Sequence, residues 1–257
     1  MPDISVENEF LPLLSQLIDL RRGRSAGHQL EIAELARRIS LQLGHTPNVA
    51  QEIYVAALLC HIGFIALPDL LIKTPYRSLS PENRNRVDQS AIEGAAILAS
   101  TSFLNVSAEY VKHQYERFDG KGFPDGLAGR DIPIGSRIIA IVVDFDDLQN
   151  GSYFGTRLNR QQAKAKIVED QGNNYDPQYV AAFSEVIKAE DHKAAGGSEV
   201  IVPFDNLKLG MILSQDVLMP NGIILLRKGK PLTGGDIESL GRVNNLYPSK
   251  LQIYIQG

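Results

Sequence analysis

Apolar residues recur every three or four positions through most of the chain. The first such segment places its large apolar side chains on one predicted helical face, Phe10, Leu13, Leu14 and Leu17. The next segment does the same over residues 30–43, and Gly44 follows it as a stop signal. Because this spacing continues, it predicts a mostly helical fold for residues 4–192.

Two of the predicted helices open with the same start signal, a hydroxyl residue followed by proline. Thr46 and Pro47 begin one helix, and Ser80 and Pro81 begin another. The hydroxyl caps the first turn, and proline suits the first helical position. The segment 136–148, SRIIAIVVDFDDL, is apolar on almost every side. It predicts a central, buried helix, although its isoleucine and valine content would also suit a strand.

The pattern changes after a small and polar segment at residues 191–199, DHKAAGGSE, which predicts a linker. From Glu199 onward, short β-prone runs are separated by turn residues. The Asn-Gly pair within Pro220–Gly222 is a strong hairpin signal. The sequence therefore predicts a helical domain over residues 1–192 and a small β-rich domain over residues 199–257.

Composition narrows the functional classes. The 257 residues carry a net charge of −4, which argues against binding nucleic acid through bulk attraction to phosphate. Cys60 is the single cysteine, so an internal disulfide and a multi-cysteine zinc site are excluded. We find neither a charged and apolar leader nor an apolar run of about 18 residues. We therefore expect a cytoplasmic protein without membrane insertion.

Several polar side chains fall on or beside apolar helices, where a charge is costly unless it is paired or binds a metal. Asp144 and Asp147 lie one turn apart on the apolar segment and so share a face. Histidine and cysteine, which also bind metals, occur at predicted helix ends. These candidates are His28, Cys60, His61 and His113. Histidines and carboxylates from several helices form the metal sites of helical bundles. The alternative is ordinary core or solvated residues, with Asp144 paired to Arg137 or capping a neighbouring helix.

The segment 116–133, ERFDGKGFPDGLAGRDIP, is dense in glycine and proline. So many glycines indicate unusual backbone angles or the close approach of a ligand. The alternative is an ordinary long surface loop. The candidate binding residues in and beside this loop are Arg117, Asp119, Gly120, Lys121, Gly122, Phe123, Pro124 and Arg137.

Three segments, 57–82, 122–148 and 173–183, together resemble an HD-GYP domain, a variant of the HD superfamily of metal phosphohydrolases. The resemblance extends over residues 28–187, with the motifs in family order and at family-like spacing. It implies an HD-type helical bundle, and active members of the family hydrolyse cyclic di-GMP. The tail from Glu199 resembles, less closely, small β domains found beside HD-GYP domains in signalling proteins.

The residues that would carry catalysis depart from the family pattern. Where the family has His-Asp-x-Gly-Lys, this chain has Cys-His-Ile-Gly-Phe at residues 60–64. Family histidines fall on Ser90 and on Gln114-Tyr115, so the resemblance implies that His28 and Asp144 survive as metal ligands. We call the matched positions the vestigial pocket, which comprises His28, Cys60, His61, Phe64, Ser90, Gln114, Tyr115, Asp144 and Asp147.

The lost residues are the ones that a two-metal site needs. A carboxylate can bridge ions roughly 3.5–4 Å apart, whereas a neutral imidazole at position 61 offers one lone pair. Phe64 also removes a cation that could meet phosphate charge. We therefore expect no metal, no cofactor and no catalytic residue, and we expect that restoring the five lost ligands restores metal binding. The alternative is a single zinc ion held by Cys60, His28 and Asp144.

The expected function is that of a catalytically inactive HD-GYP-like protein that acts in cyclic di-GMP signalling by binding a partner or a ligand. The family suggests a GGDEF-domain protein as the partner. One alternative is a phosphodiesterase with an altered metal site. Another is a protein that binds a cyclic dinucleotide without cutting it, with Arg117, Lys121, Arg130 or Arg137 against phosphate.

Overall fold

The computed structural model of the protein describes residues 4–196, 199–218, 224–246 and 253–256. The chain divides into two compact units. The first contains the chain up to Arg24 and His28–Lys188, and the second contains Ser25–Gly27 and the described residues from Ala189 onward. Each unit has its own cluster of buried apolar side chains. The expectation that residues 1–192 fold without residues 199–257 stays a prediction.

The first unit is helical, as the spacing of apolar residues predicts. Its helices, the last of which continues past Lys188, are α1 (Ile4–Arg22), α2 (His28–Gln42), α3 (Pro47–Leu59), α4 (Asp69–Lys73), α5 (Pro81–Ala99), α6 (Asn105–Lys112), α7 (Ile134–Asn150), α8 (Arg160–Glu169) and α9 (Pro177–Gly196). The linker prediction is partly wrong, because residues 191–196 continue α9. Alanine and lysine are good helix formers, so this small and polar segment extends the helix.

Helix α7 forms the centre of the first unit. Ile138, Ile139 and Ile141 are fully buried in the core. The ring of Phe145 meets that of Phe183 edge-on, with centroids 4.9 Å apart. Burying each of these side chains contributes about 1.5–3 kcal/mol relative to leaving it exposed. The predicted central helix is therefore confirmed, and the strand that its composition would also suit is not formed.

The predicted capping residues begin helices α3 and α5. The Thr46 hydroxyl accepts a hydrogen bond from the backbone N–H of Val49, and the Ser80 hydroxyl accepts one from Asn83. Each bond satisfies a backbone donor that has no partner within its own helix. The local sequence thus fixes where these two helices start.

The end of α3 is held by a close crossing of two backbones. Cys60 and His61 follow the last helical residue, and a 3-10 turn, Ile62–Ala66, comes next. This turn lies so near α5 that a Cβ atom on Gly63 would stand 1.9 Å from the Ser90 carbonyl oxygen. Only glycine permits that approach. The crossing therefore fixes the place of Cys60 and His61.

Helix α1 buries a different face from the one predicted. Phe10, Leu13 and Leu17 are 57%, 51% and 49% exposed, whereas Leu11 and Ile18 are buried. The buried face also contains two polar residues, Ser15 and Asp19. Ser15 donates to the Pro12 carbonyl, and Asp19 accepts the backbone N–H of Gln29. Because these bonds satisfy the polar groups, apolar spacing alone identified the wrong side of the helix.

The second unit combines two small sheets with one helix. Its elements are β1 (Glu199–Ile201), β2 (Val217–Leu218), β3 (Ile224–Leu226), α10 (Gly234–Leu246) and β4 (Tyr254–Gln256). Strand β1 pairs with β4 and β2 pairs with β3, both antiparallel. The longest described element is the helix, so the term β-rich covers only part of this unit. The predicted turn at residues 220–222 lies outside the described residues.

One apolar segment was underestimated from the sequence. Pro47–Ala66 is long and apolar enough to cross a membrane by length and composition, although no such run was expected. Most of its apolar window, 67%, is buried inside the protein. Core helices of globular proteins pass the same test, so this segment is weak evidence for a membrane span.

Candidate functional site

The vestigial pocket lies where the end of α3, the start of α2 and the middle of α7 meet the segment after α6. Gln114 Nε2 donates to the Cys60 carbonyl oxygen at 3.0 Å. Gln29 Nε2 lies 3.1 Å from Cys60 Sγ, and Cys60 Sγ lies 3.2 Å from His61 Nδ1. The structure thus brings Cys60, His61 and Gln114 together, as the resemblance implies.

An arginine that the sequence analysis did not single out reaches into this pocket. Arg22, the last residue of α1, donates from Nη2 to Asp147 Oδ1 at 2.9 Å. Its Nη1 lies 3.3 Å from His61 Nδ1, and its guanidinium carbon lies 5.4 Å from the Phe64 ring centroid. The side chain is only 4% exposed. Basic residues are common in the last turn of a helix, so no local pattern distinguishes Arg22 from an ordinary exposed arginine.

The electrostatics of the pocket keep Cys60 and His61 uncharged. Burial raises the pKa of the Cys60 thiol to about 12. Burial, together with the positive charge of Arg22 and Arg24, lowers the pKa of His61 well below its usual value. His61 Nδ1 lies between a donor and an acceptor, Arg22 Nη1 and Gln29 Oε1, each 3.3 Å away, so these contacts do not fix which ring nitrogen carries the proton. Neither side chain presents a negative charge to a metal ion.

The three carboxylates of α7 each have a partner from a different part of the first unit. The Tyr175 hydroxyl donates to Asp144 Oδ2 at 2.6 Å. His28 Nε2 lies 2.9 Å from Asp146 Oδ2, and Asp147 accepts a hydrogen bond from the Arg22 guanidinium. Burial raises the pKa of Asp144 to about 7, although the tyrosine bond opposes that shift. The carboxylates are therefore divided among protein groups and do not converge.

The polar groups of the remaining pocket positions and of their neighbours on α5 are uncharged or bonded within the protein. The Tyr76 hydroxyl donates to Asp88 Oδ1 at 3.0 Å, and burial raises the pKa of Asp88 to about 6. The Ser90 hydroxyl donates to the Val87 carbonyl of its own helix at 2.6 Å. Burial, with Asp88 as the next cause, raises the pKa of Tyr115 well above its usual value. Tyr115 therefore stays neutral.

The metal ions that the HD-GYP resemblance implies do not fit these side chains. No group of three or more histidine, cysteine or carboxylate side chains stands ready for a metal ion in the described parts of the chain. The two ligands expected to survive, His28 and Asp144, are bonded to Asp146 and Tyr175. The zinc alternative requires Cys60 Sγ to face His28 and Asp144, whereas this sulfur is contacted by Gln29 Nε2 and His61 Nδ1. The expectation that the protein holds no metal stays a prediction.

The loop 116–133 is organised by one buried carboxylate. Helix α6 ends at Lys112, so His113, which was expected to end a helix, lies just beyond it. Glu116 accepts the backbone N–H groups of Asp125 at 2.7 Å and Leu127 at 3.1 Å. A Cβ atom on Gly122 would stand 2.2 Å from the backbone nitrogen of Arg117. The glycine density therefore marks a tightly folded loop with close backbone contacts.

The candidate binding cations in and beside the loop differ in their ion pairs and in their exposure to solvent. Arg117 donates two bonds to Asp119, of 2.9 and 2.7 Å, and these bonds lower the pKa of Asp119. Arg137 bonds Asp176 at 2.9 Å and is largely buried. Lys121 projects outward with a 79% exposed side chain. Of these three, Lys121 is the most accessible to a ligand, and the binding role of the set stays a prediction.

Comparisons with known proteins agree with this architecture. An HD domain family model matches residues 12–179. The chain is 30% identical over 179 residues to the cyclic di-GMP phosphodiesterase response regulator RpfG of Xanthomonas campestris pv. campestris, which covers 69% of this chain and 47% of that protein. It is 31% identical over 182 residues to a cyclic di-GMP phosphodiesterase of Thermotoga maritima, which covers 70% of this chain and 49% of that protein. The chain thus spans about half the length of these curated relatives.

Solved structures share the fold at lower sequence identity. A cyclic GMP-AMP specific phosphodiesterase of Vibrio cholerae superposes with a TM-score of 0.58 at 18% identity, over 72% of this chain and 50% of that one. An HDG"Y"P protein from Bdellovibrio bacteriovorus superposes with a TM-score of 0.54 at 22% identity, over 63% of this chain and 51% of that one. With its helical bundle and a family match over residues 12–179, this chain belongs to the HD domain family.

Proposed function

We propose that this chain is a catalytically inactive HD-GYP-like protein that takes part in cyclic di-GMP signalling by binding a partner. One observation carries the proposal. The two ligands expected to survive, His28 and Asp144, are bonded to Asp146 and Tyr175. Asp147, on the same helix, is bonded to Arg22. A phosphodiesterase of this family type needs those groups to converge on ions, and here they are separated.

The chemistry of the remaining positions supports the same conclusion. Hydrolysis by a two-metal site requires a bridging ligand and an activated water between the ions. His61 is neutral, and its Nδ1 faces Arg22, so it cannot bridge two ions. Phe64 presents a ring where the family lysine would supply a cation. Both losses remove charge stabilisation from the place where a phosphate would react.

The loop 116–133 is the surface that we assign to partner binding. Glu116 holds its backbone in place, so a partner would meet a preformed surface and lose little entropy on ordering it. Lys121 offers an outward cation on this loop. A GGDEF-domain protein is the partner that fits the signalling context of the relatives. A cytoplasmic location goes with this proposal.

A hydrolysis assay on the purified chain tests the proposal. The chain is incubated with cyclic di-GMP and either manganese or ferrous iron, and linear product is measured beside a protein-free control. We expect no product above the control, and elemental analysis should find less than one metal ion per chain. Turnover that disappears in an Asp144→Ala variant would refute the proposal and favour an altered metal site.

A further inference from the structure

Arg22, in the last turn of α1, places a positive charge in the interior of the first unit. The Arg22 side chain is 4% exposed and bonds Asp147, whereas the adjacent Arg21 is 27% exposed and bonds Asp69 near the surface. Moving a guanidinium out of water is costly unless several partners compensate for the lost hydration. The surroundings of Arg22 supply such partners on more than one side.

Two positions at which the chain departs from the HD-GYP pattern contact this guanidinium. Nη1 of Arg22 lies 3.3 Å from His61 Nδ1, and the guanidinium carbon lies 5.4 Å from the Phe64 ring centroid. An imidazole nitrogen without a proton can accept from a guanidinium, and an aromatic face attracts a cation. A lysine at position 64 would instead bring a second positive charge close to Arg22. The two departures therefore fit one buried arginine.

Asp147 completes this arrangement. Its Oδ1 receives Arg22 Nη2 at 2.9 Å, and Arg24 Nη2 lies 3.6 Å from the same oxygen. A divalent ion at this carboxylate would stand against two guanidinium groups. The repulsion would act at short range in a site with little water to screen it.

We propose that Arg22 is the resident cation of the vestigial pocket and that it excludes divalent metal ions from Asp147 and from position 61. This inference rests on the proposed function and names the group that takes the place of the metal. It changes one expectation from the sequence. Restoring the five lost ligands is not sufficient for metal binding, because Arg22 still occupies the space beside residue 61.

The decisive experiment compares two restored chains. Both carry Cys60→His, His61→Asp, Ser90→His, Gln114→His and Tyr115→His, and one also carries Arg22→Ala. Thermal melts with and without manganese are combined with elemental analysis after gel filtration. We expect manganese to raise the Tm of the chain with Arg22→Ala by about 5 °C or more, and to leave the other nearly unchanged.

Equal stabilisation and equal metal content in both restored chains would overturn the inference. So would stoichiometric metal in the restored chain that keeps Arg22. These readouts do not depend on catalysis. If the unmodified chain hydrolysed cyclic di-GMP, the proposed function would fail, while the comparison of the two restored chains would still decide the role of Arg22.

A single substitution gives a second test should a restored chain not fold. Arg22→Ala in the otherwise unchanged protein should lower the Tm by roughly 10 °C, because Asp147 loses its main partner. Millimolar guanidinium or manganese should recover part of that loss, since either cation can enter the space. Arg24→Ala is the matched control, because Arg24 approaches the same carboxylate at 3.6 Å, and we expect no such recovery. An Arg22→Ala chain that melts like the parent, or that neither cation stabilises, would contradict the inference.

Discussion

In the vestigial pocket the buried charges bond one another, whereas in the loop 116–133 a buried charge bonds the backbone. Arg22 and Asp147 form a side-chain pair inside the first unit. Glu116 instead accepts the N–H groups of Asp125 and Leu127 and so shapes the loop. The pocket therefore uses its polar groups to satisfy one another, whereas the loop uses Glu116 to fix the shape of its own backbone. The proposed loss of catalysis and the proposed partner-binding role of the loop rest on this difference.

The largest expected effect comes from breaking the buried pair. Asp147→Asn leaves Arg22 without a carboxylate partner, which should cost about 3–5 kcal/mol in the free energy of unfolding. Urea unfolding checks this value. Asp69→Asn is the matched control, because it removes the partner of the adjacent arginine at a surface where Asp69 is 61% exposed. We expect the control to unfold almost like the parent. Similar losses in both variants would show that burial does not distinguish the two arginines.

The next effect concerns the loop. Glu116→Ala leaves two backbone N–H groups without their acceptor, so we expect a loss of about 2–4 kcal/mol in the free energy of unfolding. Glu116→Gln keeps one acceptor oxygen and should lose less. Hydrogen exchange at Asp125 and Leu127 should be faster in the alanine variant. Unchanged exchange at these two amides would mean that the carboxylate does not hold the loop.

A smaller effect appears in the pH dependence of the pocket. Burial raises the pKa of Asp144 to about 7 in the folded protein, above the unfolded value of about 3.9. The folded state therefore binds this proton more tightly, and its stabilisation is complete below about pH 4 and is lost as pH rises through about 7. We expect on the order of 1–3 kcal/mol from this group, because the residue is partly exposed.

Chemical unfolding of Asp144→Asn between pH 4 and 8 isolates that contribution. The amide keeps an acceptor for the Tyr175 hydroxyl and carries no proton to lose, so stability should vary less with pH than in the parent. Asp88→Asn is the matched variant, because the pKa of Asp88 is also raised, to about 6. It should flatten only the lower part of the range. An unchanged slope in Asp144→Asn would exclude Asp144 as the titrating group.

The smallest expected effect comes from removing the second unit. A chain of residues 1–196 keeps the pocket, the loop and the whole of α9. We expect a soluble protein with a cooperative melt close to that of the full chain, because the first unit has its own apolar core. Circular dichroism checks the melt. An insoluble product, or a melt without cooperativity, would show that the pocket and loop depend on the second unit.

Local patterns in the sequence predicted much of the fold. Thr46, Ser80 and the central helix α7 follow from residues near one another in the chain, and each is confirmed. The predicted buried face of α1 was wrong. The side that is buried includes Ser15 and Asp19, which a pattern of apolar residues does not register. Partly polar faces of this kind depend on tertiary contacts, which spacing does not encode.

The partners within the pocket could not be predicted for a similar reason. Arg22 and Asp147 are far apart in sequence, and neither belongs to a pattern that points to the other. The resemblance made His28 a surviving ligand position, yet the group bonded to it is the carboxylate of Asp146, which no motif singled out. The sequence positions identified which residues surround the pocket. Their pairing depends on the directions of side chains from separate helices.

Because Cys60 is buried, its reaction with a thiol reagent can be used to measure local opening of the protein. The chain has no other cysteine, and the thiol is 2% exposed with its pKa raised to about 12 by burial. Thiol reagents attack the thiolate, so the folded protein should react very slowly. A cysteine introduced on the surface can therefore carry a single dye without background labelling. In the unmodified chain, the slow labelling rate would measure how often the end of α3 opens locally and exposes the Cys60 thiol.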